Sequence, residues 1–180
     1  FDPIMEMHFG GIAPGAYAWV LPKAKGANIG VGFSPQLANG RLVDHYASFL
    51  KRRELTATTR TVGKMVPSNG PIVRTASENA LLVGDAAGHV MAVNGGGIPI
   101  AMICGRIAGK VAASHVKDGT PLKEYEQEWR CQVAKPLHTA VNTKRLATMF
   151  MGTSRRTEWA MGVVGARRMG KMIRLRPVFP

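Results

Sequence analysis

The 180-residue sequence predicts an α+β protein: an antiparallel sheet early in the chain, a strand–loop–helix piece in the middle, and helices to the end. Three observations carry that reading. Apolar residues alternate with period two in the first 33 residues, a continuous apolar run at Ala80–Val83 leads into a glycine-rich stretch, and helical spacing takes over from Ile98. With 46% hydrophobic and 19% charged residues, the chain has the makeup of a protein with a packed core rather than a disordered one.

Ile4 to Phe9 alternates, with Met5, Met7 and Phe9 on one face and Glu6 and His8 on the other. Ala16 to Leu21 alternates again and puts Tyr17, Trp19 and Leu21 on one strand face. Pro22 and the stretch Lys23 to Gly26 read as a turn, and Asn28 to Phe33 as a third strand, a hairpin with a longer loop. Ala38 to Leu55 has helical spacing, its apolar stripe being Leu42, Tyr46, Phe49 and Leu50. Thr56 to Val66 returns to β character, and Pro67-Ser-Asn-Gly-Pro71 is a break and candidate boundary. Ala80–Val83 reads as a buried parallel strand, followed by a loop and a helix from Ile98 to about Val116. Helical spacing resumes over Pro121 to Phe150 and Ser154 to Met172.

The charge is lopsided. The net charge is +13, and eleven Lys and Arg face one acid, Glu158, between Trp129 and the end. A basic tail of this kind selects an anionic partner such as a membrane surface or a phosphate group. Arg155, Arg156, Arg167, Arg168, Lys171, Arg174 and Arg176 stand beside Met149, Met151, Met161, Met169 and Met172, an amphipathic pattern suited to anionic lipid. Aromatics are scarce among these cations, which argues against nucleic acid as the partner. Cys104 and Cys131 form no metal-binding spacing and read as two free thiols of a reducing cytoplasm, with a position peripheral to the membrane left open. The uncharged stretch after His89 is too short and too rich in glycine to span a bilayer.

Residues 80–113 concentrate the chemistry. A strand ending at Gly84-Asp85 sets a carboxylate at its C-terminal edge, where α/β proteins bind ligands. The run Asn94-Gly95-Gly96-Gly97-Ile98 then opens a helix whose amides carry unpaired donors and partial positive charge. Gly97, Ala101, Gly105, Gly109 and Ala113 recur every four residues, a ridge almost free of side chains. A carboxylate for hydroxyl groups and a helix N-terminus for a phosphate or an electron-rich ring edge make one candidate site.

Residues 80–109 resemble the second FAD motif of the flavoprotein class containing aromatic hydroxylases and geranylgeranyl reductases. Tyr17-Ala-Trp19-Val-Leu21-Pro22, seven residues, then Gly30-Val-Gly32 resembles the geranylgeranyl reductase pattern YxWxFP followed by GxG, with Leu21 where the pattern has Phe. The resemblance covers residues 1 to 117 well and is closest to the archaeal lipid-reducing branch. It implies FAD as cofactor, contacted by Gly84, Asp85, Gly95, Gly96, Gly97 and Ile98. It also implies an isoprenoid lipid substrate lined by Tyr17, Trp19, Leu21, Pro22, Gly30 and Gly32. The implied reaction saturates carbon–carbon double bonds of geranylgeranyl chains, with NAD(P)H or ferredoxin as the open alternatives for electron donor. The runner-up is a monooxygenase, and a nucleic-acid-binding module is the alternative from another class. No residue is a convincing proton donor, His89 and Tyr17 being weak candidates.

The expected regions are 1–73, β-rich and substrate-binding; 74–118, the C-terminal half of an FAD-binding domain; and 119–180, basic and helical. No counterpart of the GxGxxG diphosphate loop is found, and the chain opens Phe1-Asp2-Pro3. The expectation is a fragment of a larger flavoprotein that does not retain FAD tightly by itself.

Overall fold

The structure, a computed structural model, describes residues 4–150 and 153–165. The expected helix beyond Gly165, with Arg167 to Arg176, Met169 and Met172, lies outside the described residues, as does Met151. The chain divides into two compact units, 1–63 with 146–180, and 64–145.

In the first unit, β1 (Glu6–His8), β2 (Ala18–Lys23) and β3 (Gly26–Val31) form an antiparallel sheet in the order β1-β2-β3. Ala18 and Val20 point inward with Val31 and pack on Phe49 of α1 (Leu42–Arg52), with Leu42 and Tyr46 beside them. The stripe expected for this helix is therefore its packing face, although Leu50 is only half-buried. Glu6 and His8 pair with Val20 and Ala18, so they share this inner face. They are tolerated because Arg53 donates to both Glu6 carboxylate oxygens, at 2.8 and 2.7 Å, and His8 meets the Phe49 ring edge-on at 5.1 Å.

Two expectations fail in this unit. The hairpin loop is not long: Lys23 pairs with Gly26, leaving the two-residue turn Ala24-Lys25, so β3 begins and ends earlier than expected. Pro22 is thus inside β2 rather than in the turn. It lies past the last residue paired with β1, on an open edge, where a missing N–H costs no ladder bond. The expected β segment Thr56 to Val66 forms no strand and is mostly exposed. Its β-branched residues express a preference for a pleated, half-buried surface, and no neighbouring edge among the described residues offers one.

In the second unit, α2 (Ile98–Asp118) packs against α3 (Glu124–Trp129), and its Ile100, Cys104, Ile107 and Val111 share one buried cluster with Leu137, Ala140 and Val141 of α4 (Lys135–Thr148). Gly119 ends α2 in the left-handed conformation, at φ 80°. The expected uninterrupted helix after Pro121 is instead α3, a π-helical turn at Arg130–Ala134, and α4. Pro136 explains the break. It has no N–H to give the carbonyl four residues back, and its ring crowds that turn, so the backbone widens ahead of it.

Ala80–Val83 is not a parallel strand. Ser77 N–H donates to Ala80 O at 2.9 Å and Leu82 N–H to Thr75 O at 2.8 Å, so the segment folds back on its own chain with an isolated Ala76–Leu81 bridge. Side chains of α3 and of the π turn after it take up further backbone groups of this stretch. Tyr125 Oη donates to Leu82 O at 2.8 Å, Glu126 accepts from the Thr75 N–H, and Arg130 donates to Val73 O at 2.6 Å. Helix α5 (Ser154–Val164) belongs to the first unit.

Candidate functional site

Two places hold the residues singled out by the sequence, one in each unit. The first is the face of the β2–β3 hairpin turned away from its core. Tyr17, Trp19 and Leu21 are half-buried there, as the alternation requires once Ala18 and Val20 face inward. Trp19 stands opposite Gly30 in the ladder, and a Cβ at Gly30 would collide with the indole ring. Gly30 is therefore the seat of Trp19. The indole N–H donates to Asn28 Oδ1 at 2.7 Å, which fixes its direction. Tyr17 packs 5.7 Å from Trp19, and Phe9 lies 6.0 Å from Tyr17, so the face carries a row of three rings. Gly32 N–H donates to Tyr17 O at 2.9 Å and continues the alignment past the strand end. Burial pushes the Tyr17 phenol above its ordinary pKa of 10.0, so it stays protonated at neutral pH.

Sequence reasoning missed Asn28, Phe9 and Met7 as parts of this face. Met7 pairs with Trp19, and Asn28 with Leu21. The missing signal was the two-residue turn, which sets which residues of β3 lie opposite those of β2.

The second place is the turn before α2. Gly84–Ala87 is a 3₁₀ turn rather than a strand end, yet it brings Asp85 to the start of the helix: a Cβ at Gly97 would meet Asp85 Oδ1 at 3.4 Å. Gly97 is the N-cap and Ile98 the first helical residue, as the spacing predicted, and no side chain caps this end. The glycine run is ordered. Met91 N–H donates to Gly96 O at 3.3 Å, Gly95 N–H to Met91 O at 2.9 Å, and Gly96 N–H to Asn94 Oδ1 at 2.9 Å. Asp85, Gly95 and Ile98 face solvent around the helix end, and Gly84, Gly96 and Gly97 form the floor. The small-residue ridge has a packing role at its start: Ala101 lies against Gly84 and Gly105 against Val83.

Beneath this turn, Gly88 is backed against Gly70. Its φ of 67° is left-handed, and a Cβ there would strike the Gly70 carbonyl. His89 follows it into the interior. It is fully buried, its ring 4.5 Å from the Trp129 ring, and neither ring nitrogen has a hydrogen-bond partner. Burial, aided by the Arg130 charge, lowers its pKa from 6.5 to about 4. A neutral imidazole sealed from solvent has no path to a substrate, which leaves His89 without the geometry of a proton donor. The chemistry available at the turn is therefore a carboxylate acceptor beside bare helix-end amides. That set suits a ligand with hydroxyl groups and an anionic or electron-rich edge.

Residues 2–69 match the family model of the geranylgeranyl reductase catalytic domain, and the aromatic hairpin lies within that match. The chain is 33% identical over 157 residues to the digeranylgeranylglycerophospholipid reductase of Methanococcus aeolicus, covering 82% of this chain and 40% of that protein. It is 39% identical over 153 residues to digeranylgeranylglycerophospholipid reductase 2 of Methanothermobacter thermautotrophicus, with 81% and 40% covered. A geranylgeranyl bacteriochlorophyll reductase-like protein of Thermoplasma acidophilum superposes with a TM-score of 0.68 at 20% identity, covering 88% of this chain and 47% of that one, which establishes a shared fold. The chain belongs to the geranylgeranyl reductase family. It spans about 40% of the length of these curated relatives.

Proposed function

We propose that this chain is the substrate-side sheet and the second half of the cofactor site of an FAD-dependent reductase that saturates double bonds in geranylgeranyl chains of isoprenoid membrane-lipid precursors. The observation that carries the reading is the Trp19 indole seated on Gly30, on a half-buried aromatic face away from the core, inside the segment that matches a reductase catalytic domain. A flat aromatic and aliphatic surface suits an isoprenoid chain, which offers only apolar contacts.

For the cofactor, the fit rests on the donor set before α2. Asp85, beside the helix start, would accept from ribityl or ribose hydroxyls, and the amides at Gly97 and Ile98 would face a phosphate or the flavin ring edge. Bound flavin supplies hydride chemistry at the double bond. The chain's own residues bind and orient: the hairpin face excludes water from the prenyl path, and the glycine floor admits a flat ring without Cβ clashes. The identity of the electron donor stays between NAD(P)H and ferredoxin.

The test is Trp19→Ala in the flavin-loaded enzyme, with unfolding, flavin content and turnover of a geranylgeranyl lipid all measured. The expected result is a folded, yellow protein with impaired turnover. Truncating a wholly buried Trp would instead cost about 3–5 kcal/mol. A loss of that size, or normal turnover, returns Trp19 to a purely structural place.

A further inference from the structure

Among the described residues, the hydrogen bonds that anchor helix α5 lie on the side of Ser154 and Thr157. Ser154 Oγ accepts from the Gly11 N–H at 2.9 Å, and the buried Thr157 hydroxyl donates to the carbonyls of Thr153 and Phe150, at 2.9 and 3.3 Å. With that side fixed, Arg155, Trp159 and Val163 follow at i, i+4 and i+8 on the other, and Arg156 flanks this row on the side away from Arg155. Trp159 and Val163 are each 64% exposed and Met149 69%. Met149, Phe150, Arg155, Arg156 and Trp159 line an open groove in which the Phe150 and Trp159 rings lie 6.1 Å apart. Neither guanidinium forms an ion pair with a described residue, and Glu158 sits on the flank of this face.

A large indole in water between two guanidinium groups that have no ion pair among the described residues is unfavourable unless something covers it. The cover must be apolar below and anionic above. We propose that this face docks on an anionic bilayer surface, with Trp159 and Val163 entering the boundary between headgroups and acyl chains and Arg155 and Arg156 on lipid phosphates. Trp favours that boundary because its ring is apolar and its N–H polar, and guanidinium matches phosphate with paired donors. A second copy of the chain is a poor cover, since a two-fold contact would set the same basic patch against itself in a protein of net charge +13. Among the described residues no helix is long and apolar enough to cross a membrane, so the contact is superficial. The proposal concerns binding alone and stands apart from the reductase reading.

The experiment is sedimentation of the chain with vesicles of phosphatidylglycerol mixed into phosphatidylcholine, and with phosphatidylcholine alone. Binding is expected only with the anionic vesicles, and to fall with added salt. Arg155→Gln with Arg156→Gln should weaken it roughly thirtyfold, each basic residue near such a surface contributing about fivefold. Lys51→Gln with Arg52→Gln removes the same charge from exposed positions at the end of α1 and should bind as the unaltered chain does. Trp159→Ala should weaken vesicle binding while leaving the unfolding midpoint in place. Equal losses in the two double variants would reduce the effect to diffuse net charge and overturn the proposal. So would no binding at all, or a concentration-dependent dimer that Trp159→Ala abolishes without vesicles.

Discussion

The β2–β3 hairpin and the loop before α2 both use glycine, but for opposite purposes. At Gly30 the absent Cβ makes room for a side chain, so the hairpin presents an indole to its surroundings. At Gly88 the absent Cβ makes room for backbone, and the loop presents amides and one carboxylate. A site made of side chains can adapt when its glycine is changed, because a ring can swing away. One made of backbone cannot, because the obstructing atom belongs to the fold.

That contrast can be broken most sharply at Gly88. Gly88→Ala adds a left-handed strain of about 1–2 kcal/mol and a clash with a carbonyl that cannot retreat, so a loss of at least ~3 kcal/mol is expected in denaturant unfolding. A loss below about 1 kcal/mol would mean the loop is looser than its hydrogen bonds imply.

The interior under the loop supplies the next largest effect. His89 has a folded pKa near 4 against an ordinary 6.5. Above pH 6.5 both folded and unfolded forms carry it neutral, and stability is full. As pH falls from 6.5 towards 4 the unfolded chain takes up a proton that the folded chain refuses, and stability declines by about 3 kcal/mol at 1.36 kcal/mol per unit. His89→Phe keeps a ring against Trp129 and removes the titration. Its unfolding midpoint should stay nearly flat over that window while the parent's drops, and parallel curves would assign the acid sensitivity elsewhere.

Gly30→Ala comes third. The displaced indole loses its bond to Asn28, a cost of about 1–2 kcal/mol. In a Trp19→Ala background the same substitution should cost almost nothing, because the atom it strikes is gone. Additive losses in that cycle would refute the seat. The smallest stability change belongs to exposed Asp85: Asp85→Ala should shift unfolding by less than about 0.5 kcal/mol yet weaken FAD binding roughly tenfold by titration. Unchanged flavin affinity would remove Asp85 from the cofactor site.

The two regions also differed in how far the sequence could be read. Alternation in β2 was sufficient to put Tyr17, Trp19 and Leu21 on one face, because a half-buried strand has period two whatever its neighbours are. It did not reveal the two-residue turn, since Pro22 reads as a turn residue and only the shortness of β1 makes room for it in a strand. The glycines and Ile98 marked the start of α2, because helix starts have local chemistry. Ala80–Val83 misled for the converse reason: a short apolar run says nothing of its partners. Its backbone is satisfied by Thr75, Ser77 and the Tyr125 hydroxyl, contacts up to 43 residues apart in sequence. His89 was ambiguous for the same reason, since Trp129 lies 40 positions further on.

The widened turn at Arg130–Ala134 has a geometric consequence for that interior. Tyr125, Trp129, Val133 and Leu137 are all buried, each four residues after the last. In an ideal α-helix every such step rotates about 40° further round the axis, so the fourth residue would be carried off the seam. The extra backbone in the wider turn takes back part of that rotation, in the way a vernier recovers a mismatch between two scales. A proline that would otherwise end the rod is thereby converted into a phase correction, and Leu137, Ala140 and Val141 join the same buried cluster as Tyr125 and Trp129.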